Sequence, residues 1–169
     1  MTLATHIIVG AAAASPFLAS GDYALAMGVA TGSHYIVDMI PHWSVGHHLH
    51  SITYEKDKHE RTIREPKKLW RDVSLVLLDL FVGIIALIAI VGTPTDLPTL
   101  AGIMIVVVGS CLPDGLQFVQ FWYKKSPVRQ LQTLHDWFHF NTNGKGDLAP
   151  TFLTLGSQVA LIIGTSFFL

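Results

Sequence analysis

Long uncharged stretches are the feature that most limits what this chain can form. Five segments contain no Asp, Glu, Lys or Arg, namely 2–21, 23–37, 80–95, 97–113 and 148–169. A helix that crosses a bilayer needs about 17–25 mainly apolar residues. Only 14% of the residues are charged and the mean hydropathy is +0.46, whereas soluble domains are about one quarter charged. The sequence therefore predicts an integral membrane protein.

The predicted fold class is all-α, an integral membrane bundle of about five transmembrane helices with a short amphipathic cytoplasmic helix. Residues 1–169 form a single integral membrane domain in this interpretation. The spans are predicted near 2–18, 23–40, 69–91, 97–123 and 148–169, with cytoplasmic connections at 41–68 and 124–147. In the second connection, Ser126 and Pro127 are a favourable start for a helix. The apolar residues that follow at helical spacing are Val128, Leu131, Leu134 and Phe138.

The positively charged residues predict the orientation of the bundle. All eleven lie in or beside the two long connections, which five spans would place on the same side of the membrane. The first group is Lys56, Lys58, Arg61, Arg64, Lys67, Lys68 and Arg71, and the second is Lys124, Lys125, Arg129 and Lys145. Because basic loops stay in the cytoplasm, we expect a protein of the cytoplasmic (inner) membrane with its N-terminus inside and its C-terminus outside.

Charge and cysteine content exclude two classes of protein. The net charge of -1 excludes a nucleic-acid binder that depends on bulk positive charge. A single cysteine, Cys111, excludes an intramolecular disulfide framework. The expected partners are instead membrane lipids and a lipid-like or lipid-linked substrate.

Ionisable side chains inside the predicted spans are the candidate functional residues, because burying such groups in a membrane is costly. They are His6, His34, Asp38, Asp79 and Asp114. In the predicted topology all five lie near the cytoplasmic ends of their spans. His34 and Asp38 are four residues apart and share one helix face, and His42 follows after four more. Imidazole and carboxylate groups at this spacing are typical metal ligands.

A second histidine pair lies in the amphipathic helix. His135 and His139 are four residues apart in the segment His-Asp-Trp-Phe-His, whose acid is one CH₂ shorter than that of the zincin pattern. The candidate metal ligands are therefore His6, His34, Asp38, His42, Asp79, Asp114, His135 and His139. Each single His or Asp can also be a structural hydrogen-bonding residue. Their clustering at one depth favours a site for one or two divalent metal ions, with zinc expected.

Three short motifs resemble the signatures of a known family. Thr5 and His6 lie near the N-terminus, residues 32–38 read Gly-Ser-His-Tyr-Ile-Val-Asp, and residues 111–114 read Cys-Leu-Pro-Asp. Together they are similar to the bacterial membrane-bound metal-dependent hydrolases, distant kin of zinc-dependent phospholipase C. The metal ligands that this resemblance implies are His6, His34, Asp38 and Asp114. The resemblance stops after Asp114, where Gly-Leu-Gln replaces the Asp-His pair of the family.

The leading functional hypothesis is a metal-dependent hydrolase that acts at the cytoplasmic interface on a phospholipid or other lipid-linked phosphoester. One acid, Asp136 or Asp79, would remain as the general base beside the ligands. Two alternatives stay open. One is a non-catalytic metal-binding membrane scaffold or small ion carrier, and the other is a membrane metalloprotease that uses His135 and His139.

Overall fold

Six α-helices build the part of the chain that the computed structural model describes, which is residues 1–43, 49–55, 60–120, 122–123, 125–138 and 152–169. The helices are α1 (Leu3–Ala19), α2 (Tyr23–Asp38), α3 (Leu69–Val91), α4 (Leu97–Gln120), α5 (Val128–Phe138) and α6 (Phe152–Ser166). A 3₁₀ turn, Pro66–Lys68, leads directly into α3. Two strands, β1 (Ile52–Glu55) and β2 (Glu60–Ile63), pair with each other. The protein is mostly helical, which confirms the all-α prediction.

The antiparallel pair of β1 and β2 is an element that hydropathy does not predict, because it lies in a polar connection. Ile52 is opposite Ile63 in the register. Beside the pair, the backbone N–H of Arg64 donates to the carbonyl oxygen of Ser51 at 2.7 Å. The backbone N–H of Ser51 in turn donates to Oδ2 of Asp72 at 2.6 Å. This chain of hydrogen bonds attaches the strands to the first turn of α3.

Helix α1 lies at the centre of the fold, where it packs against α2, α3, α4 and α6. The buried side chains that fill these contacts are small or aliphatic: Ile7, Ile8, Ala11, Ala14, Ala26, Ala30, Leu87, Ile103, Val106 and Val107. Such residues let helices approach closely. Because α1 begins at the end of the bundle where α2 and α4 finish, polar residues near those three termini are brought together.

Two glycines show how closely the helices approach. A Cβ atom on Gly83 of α3 would lie 2.7 Å from Cα of Ala4, and one on Gly109 of α4 would lie 2.9 Å from the carbonyl oxygen of Met27. Both neighbours are backbone atoms, which cannot rotate away as a side chain can. Glycine is therefore required at the contacts of α1 with α3 and of α2 with α4.

Short turns join α1 to α2 and α3 to α4. Gly21 and Gly92 have φ angles of 76° and 92° in these turns, a left-handed region that glycine adopts without steric cost. Asp22 and Asp96 each accept a hydrogen bond from a backbone N–H three residues later. Both acids therefore cap the helix that follows them.

Two helical segments of the described residues, Pro66–Val91 and Leu97–Gln120, are long and apolar enough to cross a membrane. Helices α1 and α6 are apolar but shorter. Only 11% of the most apolar window of Pro66–Val91 is buried. Its exposed apolar side chains include Leu77, Leu78, Phe81, Val82 and Ile85. Helices thus occur in all five regions predicted to span the membrane, while two of the five meet the length and composition of a span.

Candidate metal centre

Polar side chains from four helices meet at one end of the bundle. His6 lies near the start of α1, and His34 and Asp38 lie in the last turns of α2. Asp114 lies in the last turns of α4, and His135 comes from α5. His6, His34, Asp38 and His135 are almost fully buried, whereas 27% of the Asp114 side chain is exposed. The cluster is therefore enclosed on most sides and open at Asp114.

The carboxylate of Asp38 occupies the middle of this cluster. Its Oδ1 atom lies 3.0 Å from the α-amino nitrogen of Met1 and 3.2 Å from Nε2 of His6. Its Oδ2 atom lies 3.1 Å from Nε2 of His34 and 3.1 Å from Nε2 of His135. One buried carboxylate thus faces an ammonium group and three imidazoles, and a buried charge needs partners of this kind.

The His34 ring is oriented by a main-chain hydrogen bond from α2 to α4. Its Nδ1 atom lies 2.7 Å from the carbonyl oxygen of Ser110. A carbonyl oxygen can only accept, so Nδ1 carries the hydrogen and donates it. Nε2 of a neutral ring then presents a lone pair toward Oδ2 of Asp38 and toward Nε2 of His135, 3.3 Å away. A proton or a cation between these atoms is needed to make the arrangement favourable.

Asp114 and His135 form the more open side of the cluster. Oδ1 of Asp114 lies 3.7 Å from Nε2 of His135 and 3.8 Å from Nε2 of His34. The side-chain amide nitrogen of Gln117 lies 3.0 Å from Oδ1 of Asp114, to which it donates, and 3.0 Å from Nδ1 of His135. Gln117 therefore holds the Asp114 carboxylate and the His135 ring in a fixed relative position.

His6 carries the strongest indication of a missing partner. Its ring stacks on that of His34 with a centroid distance of 3.8 Å and an interplanar angle of 16°. The residue is only 1% exposed. Its Nε2 atom lies 3.2 Å from Oδ1 of Asp38, but neither ring nitrogen meets hydrogen-bond geometry among the described residues, and Nδ1 has no such contact. A buried polar atom without a hydrogen bond is costly. A metal ion on the His6 ring would supply the interaction that one of these nitrogens lacks.

The donor atoms of the cluster fit a divalent metal ion. His6, His34 and Asp38 each offer an atom within 4.8 Å of the other two, and so do His34, Asp114 and His135. Imidazole nitrogen and carboxylate oxygen are suitable zinc ligands. The hydrogen bond from His34 to a backbone carbonyl is also the outer contact that metal-binding histidines usually make. These buried groups can hold a metal ion, and the two sets share His34.

His42, another predicted ligand, lies at the edge of the same cluster. It is buried, and its Nε2 atom lies 3.7 Å from Oδ1 of Asp38. Its Nδ1 atom donates to the carbonyl oxygen of Ile40 at 2.6 Å. The ring therefore has its other nitrogen directed toward the cluster, in the same arrangement as His34.

Asp79 does not join the cluster but caps α1. The backbone N–H groups of Leu3 and Ala4 donate to its two carboxylate oxygens at 2.7 and 3.4 Å. These N–H groups belong to the first turn of α1, which has no carbonyl partners within its own helix. The position of Asp79 therefore supports a structural role at the start of the helix that carries His6.

The other two predicted residues are Asp136, which belongs to α5, and His139. Asp136 accepts a hydrogen bond at 3.0 Å from the amide nitrogen of Gln132, one turn earlier on the same helix. It is absent from both sets of close donor atoms among the described residues. His139, the second histidine of the predicted zincin-like pair, lies outside the described residues.

Three glutamines lie in or near the centre. A prediction based on ionisable side chains does not find them, because glutamine carries no charge. Gln117 contacts Asp114 and His135, and the buried Gln132 has its amide nitrogen 3.5 Å from Nδ1 of His135. Gln158 of α6 accepts hydrogen bonds from the backbone N–H of Thr2 at 3.2 Å and from its hydroxyl at 3.1 Å. Gln158 could have been predicted from the sequence, because it is an amide side chain in an otherwise apolar helix. Such a group is costly to bury without a partner.

No family model matches the chain, and no curated protein or solved structure matches it either. The resemblance to the bacterial membrane-bound metal-dependent hydrolases therefore stays a prediction. The function must be argued from the chemistry of the cluster and of the surface around it.

Proposed function

We propose that the buried cluster is a divalent-metal centre, with zinc as the expected ion. We further propose that the protein is an integral membrane hydrolase acting at the cytoplasmic interface on a phospholipid or other lipid-linked phosphoester. One observation carries the proposal, which is the meeting of three imidazoles and two carboxylates at one end of the bundle. The residues are His6, His34, Asp38, Asp114 and His135.

The exposed surface of α3 supports a membrane location. A core helix of a soluble protein is apolar because it is buried, yet the apolar window of Pro66–Val91 is only 11% buried. Its exposed leucine, isoleucine, valine and phenylalanine side chains would be unfavourable in water over such an area. A bilayer would be a favourable solvent for such a surface.

The positions of the basic residues support a site at the cytoplasmic face. Lys67 and Lys68 lie directly before α3, and Lys125 and Arg129 follow α4. The cluster lies at this same end, because α1 begins there and α2 and α4 finish there. Loops rich in Lys and Arg remain in the cytoplasm, and the same charges attract anionic headgroups.

The arrangement suits hydrolysis of a phosphoester. A divalent metal ion held by these histidines would supply Lewis-acid chemistry at a phosphoryl oxygen and at bound water. Asp38 would balance its charge, and this carboxylate contacts three of the rings. Asp114 is the carboxylate on the open side, so it can accept a proton from water. Gln117 keeps that carboxylate in position.

A metal-stabilised scaffold is the second candidate, and a specific observation favours it. His6, His34, Asp38 and His135 are nearly inaccessible, and a structural metal site has all its positions filled by protein. A catalytic site instead keeps one position open. The partial exposure of Asp114 favours the hydrolase, and turnover decides between the two.

Metal analysis of detergent-purified protein is the first experiment. We expect wild type to retain stoichiometric metal and both His34→Ala and Asp38→Ala to lose it. The matched control is His50→Ala, which removes an exposed histidine outside the cluster and should retain the metal. Wild type that contains no metal after purification without chelators would overturn the metal centre.

Turnover is then measured on lipid phosphodiesters and phosphomonoesters. We expect the metal-loaded wild type to hydrolyse one of these classes and Asp114→Asn to lose that activity. Since Asp114 is the most exposed member, this variant should keep more metal than Asp38→Ala. Full metal occupancy without turnover of either class would select the scaffold.

A further inference from the structure

Helix α5 has three distinct flanks, and one of them is both apolar and uncovered. Its buried flank consists of Val128, Gln132 and His135, which face the bundle. The next flank carries Leu131 and Leu134, both exposed. Trp137 extends this flank and is 76% exposed. The third flank is polar and includes Arg129 and Thr133. Helices that lie at a membrane interface typically have an apolar flank that the rest of the protein does not cover.

The connection from α4 to α5 carries aromatic residues that are typical of a membrane interface. Trp122 and Tyr123 are exposed directly after α4, and tryptophan and tyrosine are concentrated at headgroup level in membrane proteins. Only seven residues separate the end of α4 at Gln120 from the start of α5 at Val128. If α4 spans the bilayer as proposed, α5 must begin close to its surface.

A cleft beside the first turns of α5 has the chemistry of a phosphate site. It is lined by Lys125, Ser126, Arg129, Gln130 and Thr133. Two cations and two hydroxyl groups thus line one cleft, formed by the residues just before the helix and by its polar flank. This charge is complementary to an anionic lipid surface, where each Lys or Arg contributes roughly a fivefold preference.

We propose that α5 lies in the headgroup region of the membrane, with Leu131 and Leu134 toward the acyl chains, Trp137 at headgroup level, and Lys125 and Arg129 on anionic lipid phosphates. The inference rests on the proposed membrane location and adds an occupant for a surface that the bundle leaves uncovered. Because His135 lies on the neighbouring buried flank of the same helix, lipid binding holds this residue of the cluster in place.

Two adjacent positions test this orientation in the full-length protein. Leu134→Cys and Thr133→Cys are made in a Cys111→Ala background, since Cys111 is the one cysteine of the chain. Each is labelled with a fluorophore and placed in nanodiscs of phosphatidylcholine with phosphatidylglycerol. We expect doxyl-labelled lipid to quench the probe at 134 and aqueous iodide to quench the probe at 133. Equal iodide quenching at both positions would overturn the proposal, and so would shielding of position 134 from both quenchers, which indicates a protein partner.

Two further variants separate this inference from the proposed function. A probe at Val82→Cys on the exposed face of α3 reports membrane insertion alone. Lipid quenching at 82 but not at 134 rejects the placement of α5 and leaves the membrane location intact, whereas no lipid quenching at 82 rejects both. In Lys125→Gln/Arg129→Gln, we expect lipid quenching at 134 to become the same in anionic nanodiscs as in pure phosphatidylcholine. A retained preference for anionic lipid would contradict the role of these two charges.

Discussion

The Nδ1 atom of His34 lies 2.7 Å from the main-chain carbonyl oxygen of Ser110. This contact joins α2 to α4 and determines which ring nitrogen carries the hydrogen. It leaves Nε2 of His34 directed at the centre of the cluster, where Asp38 and His135 also direct their polar atoms. The orientation of the His34 ring is therefore set by a backbone atom, which no side-chain substitution at position 110 removes.

The first prediction concerns the two nitrogens of His34. In protein with isotope-labelled imidazoles, we expect Nδ1 to stay protonated with and without zinc, because the Ser110 carbonyl can only accept. Zinc addition should shift the Nε2 resonance of the same ring. NMR measures both signals, and loss of the pair in His34→Ala assigns them. A zinc-induced shift at Nδ1 with Nε2 unchanged would contradict the proposed coordination.

The second prediction concerns His6, whose buried ring makes no hydrogen bond among the described residues. His6→Met replaces a buried imidazole whose Nδ1 has no hydrogen bond with an apolar side chain of similar size. Asp38 keeps Met1, His34 and His135 as partners, so the metal-free variant should melt at a temperature no lower than metal-free wild type. Zinc at about 100 times its Kd should stabilise wild type by about 2.7 kcal/mol. The variant should gain much less. Thermal denaturation in detergent measures both effects.

His50→Met is the control for this comparison, since His50 is exposed and outside the cluster. It should leave both the metal-free melting temperature and the zinc-induced increase unchanged. If His6→Met gains as much stability from zinc as wild type does, His6 is not a ligand.

The third prediction separates Asp79 from the metal ligands. Asp79→Ala removes the acceptor for two N–H groups at the start of α1, which should lower the free energy of unfolding by about 1–3 kcal/mol. Metal stoichiometry should not change, because the carboxylate caps a helix and lies outside the cluster. Asp79→Asn retains one acceptor and should recover part of the stability. Loss of metal in Asp79→Asn, with stability retained, would place Asp79 among the ligands.

The fourth prediction concerns helix packing at Gly83. Gly83→Ala places a methyl group against the backbone of Ala4, so we expect a loss of about 1–3 kcal/mol in the free energy of unfolding. Gly28→Ala is the matched control, since a Cβ atom there would meet nothing within 4 Å. Thermal melting should show a clear decrease for the first variant and none for the second. Equal melting temperatures would indicate that α1 and α3 are less closely packed.

The fifth prediction concerns orientation in the membrane. Single cysteines at Thr95, in the turn between α3 and α4, and at Thr133, on α5, are introduced in the Cys111→Ala background. A membrane-impermeant thiol reagent added to intact cells should label position 95 only, because the basic connections remain in the cytoplasm. Labelling of position 133 before position 95 would indicate an orientation opposite to the proposed one.

Hydropathy and charge predicted most of the fold, because uncharged stretches of sufficient length are a strong signal. The predicted and observed bounds of the third span coincide at 69–91. The second helix ends at Asp38 rather than at residue 40, since the residue before Pro41 is disfavoured in a helix. The fourth ends at Gln120 rather than at 123. The pair of β1 and β2 was missed because each strand has only four residues and both lie in a polar connection.

Part of the site could also be predicted, from the ionisable residues in apolar segments. The cost of burying an ionisable group singled out His6, His34, Asp38 and Asp114, and these four meet in the structure. Asp79 is also an ionisable residue in an apolar helix, but its carboxylate caps α1 and does not join the cluster. Sequence spacing does not distinguish a ligand from a cap, because the difference depends on which helix end lies opposite.

The order of the ligands along the chain has a consequence for biosynthesis. His6, His34 and Asp38 all belong to the hairpin of α1 and α2, so three donors close enough to share an ion come from the first 38 residues. A chain grows from its N-terminus, and this hairpin is therefore complete before α4 and α5 have been translated. If the cluster binds a metal ion as proposed, the nascent hairpin already offers three of its donors, and Asp114 and His135 would complete the site once α4 and α5 are made.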